Sequence, residues 1–155
     1  MSAAETMPGA PAIVVHSLGH AVAALQAAAE AGAPVLLLSA VNAGLSAGAG
    51  WWREVVAAAR DSVPAARAGA LLDCGDDAGA AQAALREGVE EIVFSGRDEV
   101  RERLADIARG RGSRLHRNRP PAALDLVDDF FALPEALQCR ILAVLRSDNA
   151  ENRAK

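Results

Sequence analysis

AIVVHSLGHAVAALQAAAEAGAPVLLLS, residues 12–39, is the stretch of sequence that decides the fold. It opens with an aliphatic run, continues through an Ala-rich segment and returns to a second aliphatic run. Apolar residues recur at helical spacing from Leu18 to Ala29, and Gly32 followed by Pro34 is a typical helix stop. The two aliphatic runs are continuously apolar, which is typical of strands covered on both faces in a parallel sheet. The stretch therefore predicts a βαβ unit.

The same unit repeats further along the chain. Aliphatic runs predict strands at 70–72 and 92–94 and, more weakly, at 113–116, with helices expected at 51–63, 78–87 and 98–109. Because crossovers between parallel strands are right-handed, these repeats predict an α/β fold of one of two kinds. The alternatives are a half-barrel and an open, flavodoxin-like sheet, and in both of them ligands bind at the carboxyl ends of the strands.

The pattern changes after Pro120 and Pro121. Two apolar stripes follow and predict two C-terminal helices, the first carrying Leu124, Val127, Phe130 and Phe131, the second beginning after Pro134 and including Cys139 as a core residue. We therefore divide the chain into a βα-repeat core domain (1–119), a C-terminal helical extension (120–146) and a polar tail (147–155) that we expect to fray.

Composition and charge limit the classes of function. The formal net charge of −4 argues against nucleic-acid binding, although residues 109–119 form a local basic cluster. Two cysteines, Cys74 and Cys139, lie far apart and suggest neither a disulfide framework nor a zinc site, which favours a reducing compartment. The N-terminal residues lack a signal-peptide pattern and no apolar run is long enough to span a bilayer. We expect a cytoplasmic protein without a membrane partner.

Two segments resemble known barrel families. GHAVAALQAAAEAGAPVLLLS, residues 19–39, resembles the first βαβ unit of class II aldolase-like barrels. GAAQAALREGVEEIVFSG, residues 79–96, is similar to the late strands of phosphate-binding barrels such as ketohydroxyglutarate aldolases and thiamine phosphate synthases. The resemblance implies about half a barrel in length and a phosphate-binding edge. The chain departs from it in having one lysine, Lys155, and therefore no Schiff-base lysine at a strand end.

Candidate catalytic residues follow the first and third predicted strands. His16 is expected at the carboxyl end of the first strand and His20 in the first turn of the following helix, where two imidazoles could bind a metal or share a proton-transfer role. Asp73 directly follows the third strand and is a candidate general base, and Cys74 is a candidate nucleophile if a cation lowers the pKa of its thiol. We assign no resident metal and no particular cofactor. The alternatives are a His16 that only bonds a loop, a solvated His20 and a helix cap at the following aspartates.

Candidate ligand-binding residues follow the second and fourth strands. Ser39 and Asn42 open a long Gly- and Ala-rich loop that could form a lid, with Trp51 closing over a ligand; the alternative is a surface loop anchored by one tryptophan. Ser95, Gly96 and Arg97 precede a helix, where backbone N–H groups, the helix dipole and a guanidinium favour an anion. The alternative is that Ser95 only caps that helix.

Two functional hypotheses follow. The first is a small-molecule binding protein or a lyase or aldolase-like enzyme, acting on a phosphorylated or carboxylated metabolite at the carboxyl ends of the strands. The second is a non-catalytic interaction or regulatory α/β domain that forms homo-oligomers through its C-terminal helices, because an open sheet leaves strand edges exposed. A concave pocket with polar residues favours the first, and a large apolar patch favours the second.

Overall fold

A computed structural model describes residues 7–154. Strands and helices alternate through most of this range. The strands are β1 (Ala12–Val14), β2 (Val35–Leu38), β3 (Ala68–Asp73), β4 (Glu91–Val93), β5 (Arg114–His116) and β6 (Ala122–Asp125). The helices are α1 (Leu18–Ala31), α2 (Ala43–Ser46), α3 (Ala49–Ser62), α4 (Ala78–Arg86), α5 (Asp98–Arg111) and α6 (Pro134–Arg153).

The six strands form one parallel sheet in the order β5-β4-β3-β2-β1-β6. Alternate strand residues, such as Ile13, Leu37 and Leu72, pack with the helices in the main core. The opposite face carries a small cluster made only of strand residues, Ala12, Val14, Leu38, Leu71 and Val93. The predicted parallel α/β fold is confirmed. Consecutive strands with the helices on one face match the half-barrel alternative, because a doubly wound sheet carries helices on both faces.

Residues 117–121, which we call the crossing segment, connect the two edges of the sheet. They join β5 to β6, which lie at opposite ends of the strand order. Asn118 and Pro120 border a cavity of about 190 Å³ together with Leu36 and Leu71, two residues of the helix-free face. A right-handed connection that runs back along the sheet must pass over the face opposite to the other connections. The crossing segment therefore covers the inner, helix-free face.

Residues 122–125 form a strand, so the predicted first C-terminal helix is wrong. Strand β6 pairs with β1, with Ala122 beside Ala12 and Leu124 beside Ile13. The three-residue spacing from Leu124 to Val127 imitates a helix, but backbone pairing with β1 stabilises the strand. Residues between β6 and α6 expose several large apolar side chains, namely Val127, Phe130, Phe131 and Leu133.

Helix α6 is longer than predicted. It begins with Pro134, which suits a first helical position, and continues to Arg153. Its buried residues, Leu137, Ile141, Leu142 and Leu145, pack mainly against α1, so the helix extends through most of the residues predicted as a frayed tail. Cys139 is exposed on this helix and the prediction of a core residue is wrong, because its side chain lies off the buried stripe.

The predicted long loop after β2 is largely helical. Helix α2 and the start of α3 occupy most of residues 43–52. Trp52 is buried in the main core, whereas Trp51 is half-buried in the first turn of α3 with its ring centroid 6.1 Å from that of Trp52. A lid closed by Trp51 is not what the structure shows, because α3 is packed against the sheet.

No helix among residues 7–154 has both the length and the apolar character needed to cross a bilayer.

Candidate functional site

An open cleft of about 470 Å³ lies at the carboxyl ends of β2, β3 and β4. It is lined by Val41, Asn42, Asp73, Gly75, Asp76, Val93, Ser95 and Arg119. These residues come from three strand ends and from the crossing segment, so the fold brings together groups that are distant in sequence. This edge is where parallel α/β proteins bind their ligands.

Asp73 lies at the centre of the polar residues in this cleft. Its side chain is 5% exposed and accepts three hydrogen bonds. Oδ1 accepts from the backbone N–H of Gly75 at 2.8 Å and of Asn42 at 3.3 Å, and Oδ2 accepts from Nη1 of Arg119 at 2.9 Å. The carboxylate therefore holds together the loop after β2, the turn after β3 and the crossing segment.

Arg119 brings a positive charge into the cleft. Besides its bond to Asp73, its Nη2 donates to the carbonyl oxygen of Ser39 at 2.7 Å. Guanidinium carries five N–H groups, and within residues 7–154 these two bonds are the ones Arg119 makes. Its side chain remains 23% exposed where it lines the cleft. An anion bound in the cleft would therefore contact a guanidinium that Asp73 and Ser39 hold in place.

The turn after β3 requires glycine at position 75. Gly75 has φ of 56°, in the left-handed region, and a Cβ there would lie 1.8 Å from Oδ1 of Asn42. Asn42 itself adopts φ of 58°, a conformation that asparagine tolerates better than most residues. Together the two left-handed residues aim their N–H groups at Asp73.

The remaining predicted ligand-binding residues have different environments. Ser39 is buried, where its Oγ accepts from the N–H of Asp73 at 2.9 Å and donates to the carbonyl oxygen of Ala40, so it positions Asp73. Ser95 is exposed and lines the cleft. Gly96 lies against the ring of Phe94, which a Cβ would approach to 2.3 Å. Arg97 is the exposed residue before α5 and does not line the cleft.

Cys74 faces away from the cleft, into the helix layer. It is fully buried in the main core, and a Cβ on Gly44 of α2 would lie 2.7 Å from its Sγ. Burial, followed by the nearby charges of Asp73 and Asp77, raises the pKa of the Cys74 thiol to about 12. The thiol is therefore protonated at neutral pH, and the predicted condition for a nucleophile, a nearby cation that lowers this pKa, is not met.

His16 and His20 form a second cluster, at the ends of β1 and β6. Nε2 of His16 lies 2.7 Å from Oδ1 of Asp125. Nδ1 of His20 accepts from the backbone N–H of His16 at 3.2 Å, and its Nε2 lies 3.3 Å from the carbonyl oxygen of Asp129. The ring of Phe130 covers both imidazoles, with centroid distances of 5.8 and 5.3 Å. Neither histidine lines the cleft that contains Asp73.

Two polar contacts were not predicted. Arg119 appeared in the sequence only as part of a basic cluster, and nothing local distinguished it from its neighbours. The other contact lies on the inner face, where Nε2 of the partly exposed His116 is 2.6 Å from Oε2 of the buried Glu91. A charged residue in the otherwise apolar run of β4 was the available signal for Glu91. Within the described range, no three His, Cys, Asp or Glu side chains are grouped as metal ligands.

Comparison with known proteins places the fold in a class. The chain matches no protein-family model, and a search of curated proteins found no relative. Strand order, helix layer and cleft define a partial barrel-type α/β protein with an aldolase-like fold. Among solved structures, the chain is similar to "a putative fructose-1,6-biphosphate aldolase from Coccidioides immitis", with a TM-score of 0.56 and 21% sequence identity.

That similarity covers 68% of this chain and 39% of the Coccidioides protein. The chain therefore spans about two fifths of the length of the protein that it matches. At this level of identity the likeness is one of fold, and it confirms the predicted resemblance to aldolase-like barrels at that level. Function has to be argued from the cleft itself.

Proposed function

We propose that the cleft binds a small phosphorylated or carboxylated metabolite, with Arg119 as the residue that contacts the anion. The observation that carries this proposal is the ion pair between the buried Asp73 and the partly exposed Arg119 in the lining of the cleft. A planar guanidinium suits the oxygen geometry of carboxylate and phosphate groups, and charge-assisted bonds of this kind are among the strongest in proteins. Because Asp73 neutralises the formal charge of Arg119, affinity would come from the remaining N–H donors.

Two features near Arg119 favour an anion, whereas the exposed carboxylate of Asp76 in the same cleft opposes one. Ser95 contributes an exposed hydroxyl to the same cleft, and helix α5 begins shortly after it. The positive end of the α5 dipole therefore lies on this side of the sheet. Asp98, in the first turn of α5, would repel an anion, but its carboxylate is paired with Arg101 at 2.7 Å and Arg117 at 3.2 Å.

The catalytic form of this proposal is a lyase or aldolase-like reaction, which needs a group that accepts a proton. Both oxygens of Asp73 are occupied by donors, and His16 lies outside the cleft. Asp76 is exposed, lines the cleft and makes no hydrogen bond among the described residues. Asp76 is therefore our candidate base, with Asp73 as the residue that positions Arg119.

A thermal-shift titration with inorganic phosphate, glycerol phosphate and succinate tests the binding proposal. A ligand at ten times its Kd stabilises the folded state by about 1.4 kcal/mol, which raises the Tm of a protein of this size by about 3–5 °C. Arg119→Gln should abolish the shift. Arg117→Gln is the matched control, because it removes the same charge from the crossing segment at a side chain that is 61% exposed, while Asp98 keeps its pair with Arg101.

The two variants decide the outcome. Retention of the shift in Arg117→Gln and its loss in Arg119→Gln supports the proposal. A shift of equal size in both variants would mean that the anion binds elsewhere, and the absence of any shift in the native protein would remove the proposal.

A second candidate function is supported by the exposed apolar side chains between β6 and α6. Phe131 is 101% exposed and Leu133 is 71% exposed. Contact of large apolar side chains with water is unfavourable, and a surface that carries several of them is typical of an interaction site. We therefore keep the proposal of a homo-oligomeric interaction domain that associates through its C-terminal region. Sedimentation velocity of the native chain and of a Phe131→Ser, Leu133→Ser variant tests it, since only the native chain should associate.

We also propose that the protein works in the reducing cytoplasm. Both cysteines are free, with Cys74 buried in the core and Cys139 exposed on α6. An exposed free thiol is compatible with a compartment in which thiols stay reduced.

A further inference from the structure

Residues 126–133, which we call the β6–α6 segment, are attached to the start of α1 through two histidines. Phe130 packs on the rings of His16 and His20, and the carbonyl oxygen of Asp129 bonds to His20. Asp125, the last residue of β6, pairs with His16. The segment lacks regular helix or strand, and besides these contacts it is held by Leu126, which is buried in the main core with its N–H bonded to the carbonyl oxygen of Val14, and by the pair of Asp129 with Arg140.

The hydrogen bonds of His20 define its protonation state. Nδ1 faces the backbone N–H of His16, which is a donor, so Nδ1 must be the acceptor. Nε2 faces the carbonyl oxygen of Asp129, which can only accept, so Nε2 must carry the proton. His20 is 1% exposed, and both ring nitrogens are therefore used by the neutral form.

Protonation of His20 conflicts with this arrangement. A second proton, on Nδ1, would place two donors opposite each other at the His16 N–H. The ring also belongs to the first turn of α1, where the helix dipole disfavours a positive charge. Burial is the largest influence on the pKa of His20 and lowers it below 6.5, while the bond to Asp129 acts in the opposite direction.

The other charged groups around His20 do not remove the conflict. His16 opposes a charge on His20, and Asp125 and Asp129 favour one. Both carboxylates already have partners, however, since Asp125 pairs with His16 and Asp129 with Arg140 of α6.

We propose that His20 is a pH-sensitive catch, whose protonation at mildly acidic pH releases the β6–α6 segment from α1 and uncovers His16. The direction of the pH dependence follows from the linkage between protonation of His20 and closing of the segment. Because the closed arrangement buries a neutral His20 ring whose Nδ1 accepts from the His16 N–H, it disfavours the charged ring, so closing is most favourable above pH 6.5 and weakens as the pH falls below that value. The open fraction rises by up to about tenfold for each pH unit in that range.

Amide hydrogen exchange followed by NMR tests the proposal directly. The reporters are the N–H groups of Val127, Asp129 and Ala132, which are hydrogen-bonded within or next to the segment. After correction for the intrinsic exchange rate, their protection should fall by up to about fivefold between pH 6.5 and 5.5. The N–H groups of Cys74 and Val89, bonded elsewhere in the sheet and helix layers, should keep their protection.

Two variants separate His20 from the other titrating groups. His20→Asn keeps an oxygen where Nδ1 lies and cannot titrate, so its protection at the reporters should not depend on pH between 6.5 and 5.5. In a His16→Asn, His116→Asn variant, His20 is the one histidine left in the chain, and the pH dependence should persist.

Each result bears on the proposal. Unchanged protection in the native protein overturns it, as does a pH dependence that survives His20→Asn. A fall that begins only below about pH 4.5 would assign the opening to the carboxyl groups and overturn it too. If His20→Asn does not fold, loss of the pH dependence in the double variant overturns the proposal and its persistence supports it.

Discussion

Replacing Asp73 with asparagine should destabilise the protein through Arg119. The change keeps the size of the side chain and leaves an oxygen that can accept from the N–H groups of Gly75 and Asn42. It also places an amide N–H₂, or a neutral oxygen, opposite Nη1 of Arg119. The guanidinium then loses its carboxylate partner while its side chain stays mostly buried.

The magnitude follows from the burial of the two partners. Removing one partner of a fully buried ion pair costs about 3–5 kcal/mol. Asp73 is 5% exposed, but Arg119 is 23% exposed and can gain some hydration, which reduces the expected loss to about 2–3 kcal/mol. In a chain of 155 residues this corresponds to a fall in Tm of about 4–12 °C.

Urea unfolding of four proteins measures the effect: the native chain, Asp73→Asn, Arg119→Gln and the double variant. Because either single change leaves one group without its partner, the double variant should be more stable than the sum of the two losses predicts, with a coupling free energy of about 1 kcal/mol or more. Strict additivity, or a loss below about 0.5 kcal/mol in Asp73→Asn, would refute the role given to this pair.

Two further predictions concern residues next to Asp73. Iodoacetamide at pH 8 should modify Cys139, which is exposed, and leave Cys74 unmodified until the protein is unfolded. The reason is that burial raises the pKa of the Cys74 thiol to about 12. Rapid modification of both cysteines in the folded protein, measured by mass spectrometry, would contradict this. Gly75→Ala should lower the unfolding free energy by about 2 kcal/mol or more, because of the positive φ and the Cβ placed 1.8 Å from Asn42 Oδ1. Gly110→Ala in α5 is the control, because a Cβ there meets no atom within 4 Å, and it should raise the unfolding free energy by up to about 1 kcal/mol. A similar loss of unfolding free energy in both variants would show that the turn after β3 is not specially constrained.

Local patterns were sufficient for most of the βα units. Helix α1 runs from Leu18 to Ala31, as the spacing of apolar residues and the helix-terminating Gly32 predict. Strand β6 was not predicted, because its four residues are stabilised by pairing with β1, which lies more than a hundred residues earlier. An edge strand with exposed alanines carries little apolar pattern of its own.

The candidate site was predictable only in part, for the same reason. Asp73 could be selected because it directly follows a buried strand, but Arg119 acquires its role from a carboxylate 46 residues earlier. His16 was expected to share a cleft with Asp73. The sheet order places β2 between β1 and β3, so the two strand ends are about 10 Å apart, and His16 instead contacts the neighbouring β6.

The pairing of β6 with β1 also has a consequence for synthesis on the ribosome. Strand β1 is flanked on one side by β2, which is translated soon after it, but its other neighbour, β6, is translated more than a hundred residues later. Until residues 122–153 leave the exit tunnel, β1 is an unpaired edge and the surface of α1 that receives α6 is uncovered. Nascent chains of intermediate length should therefore be the species most exposed to aggregation and most dependent on chaperones.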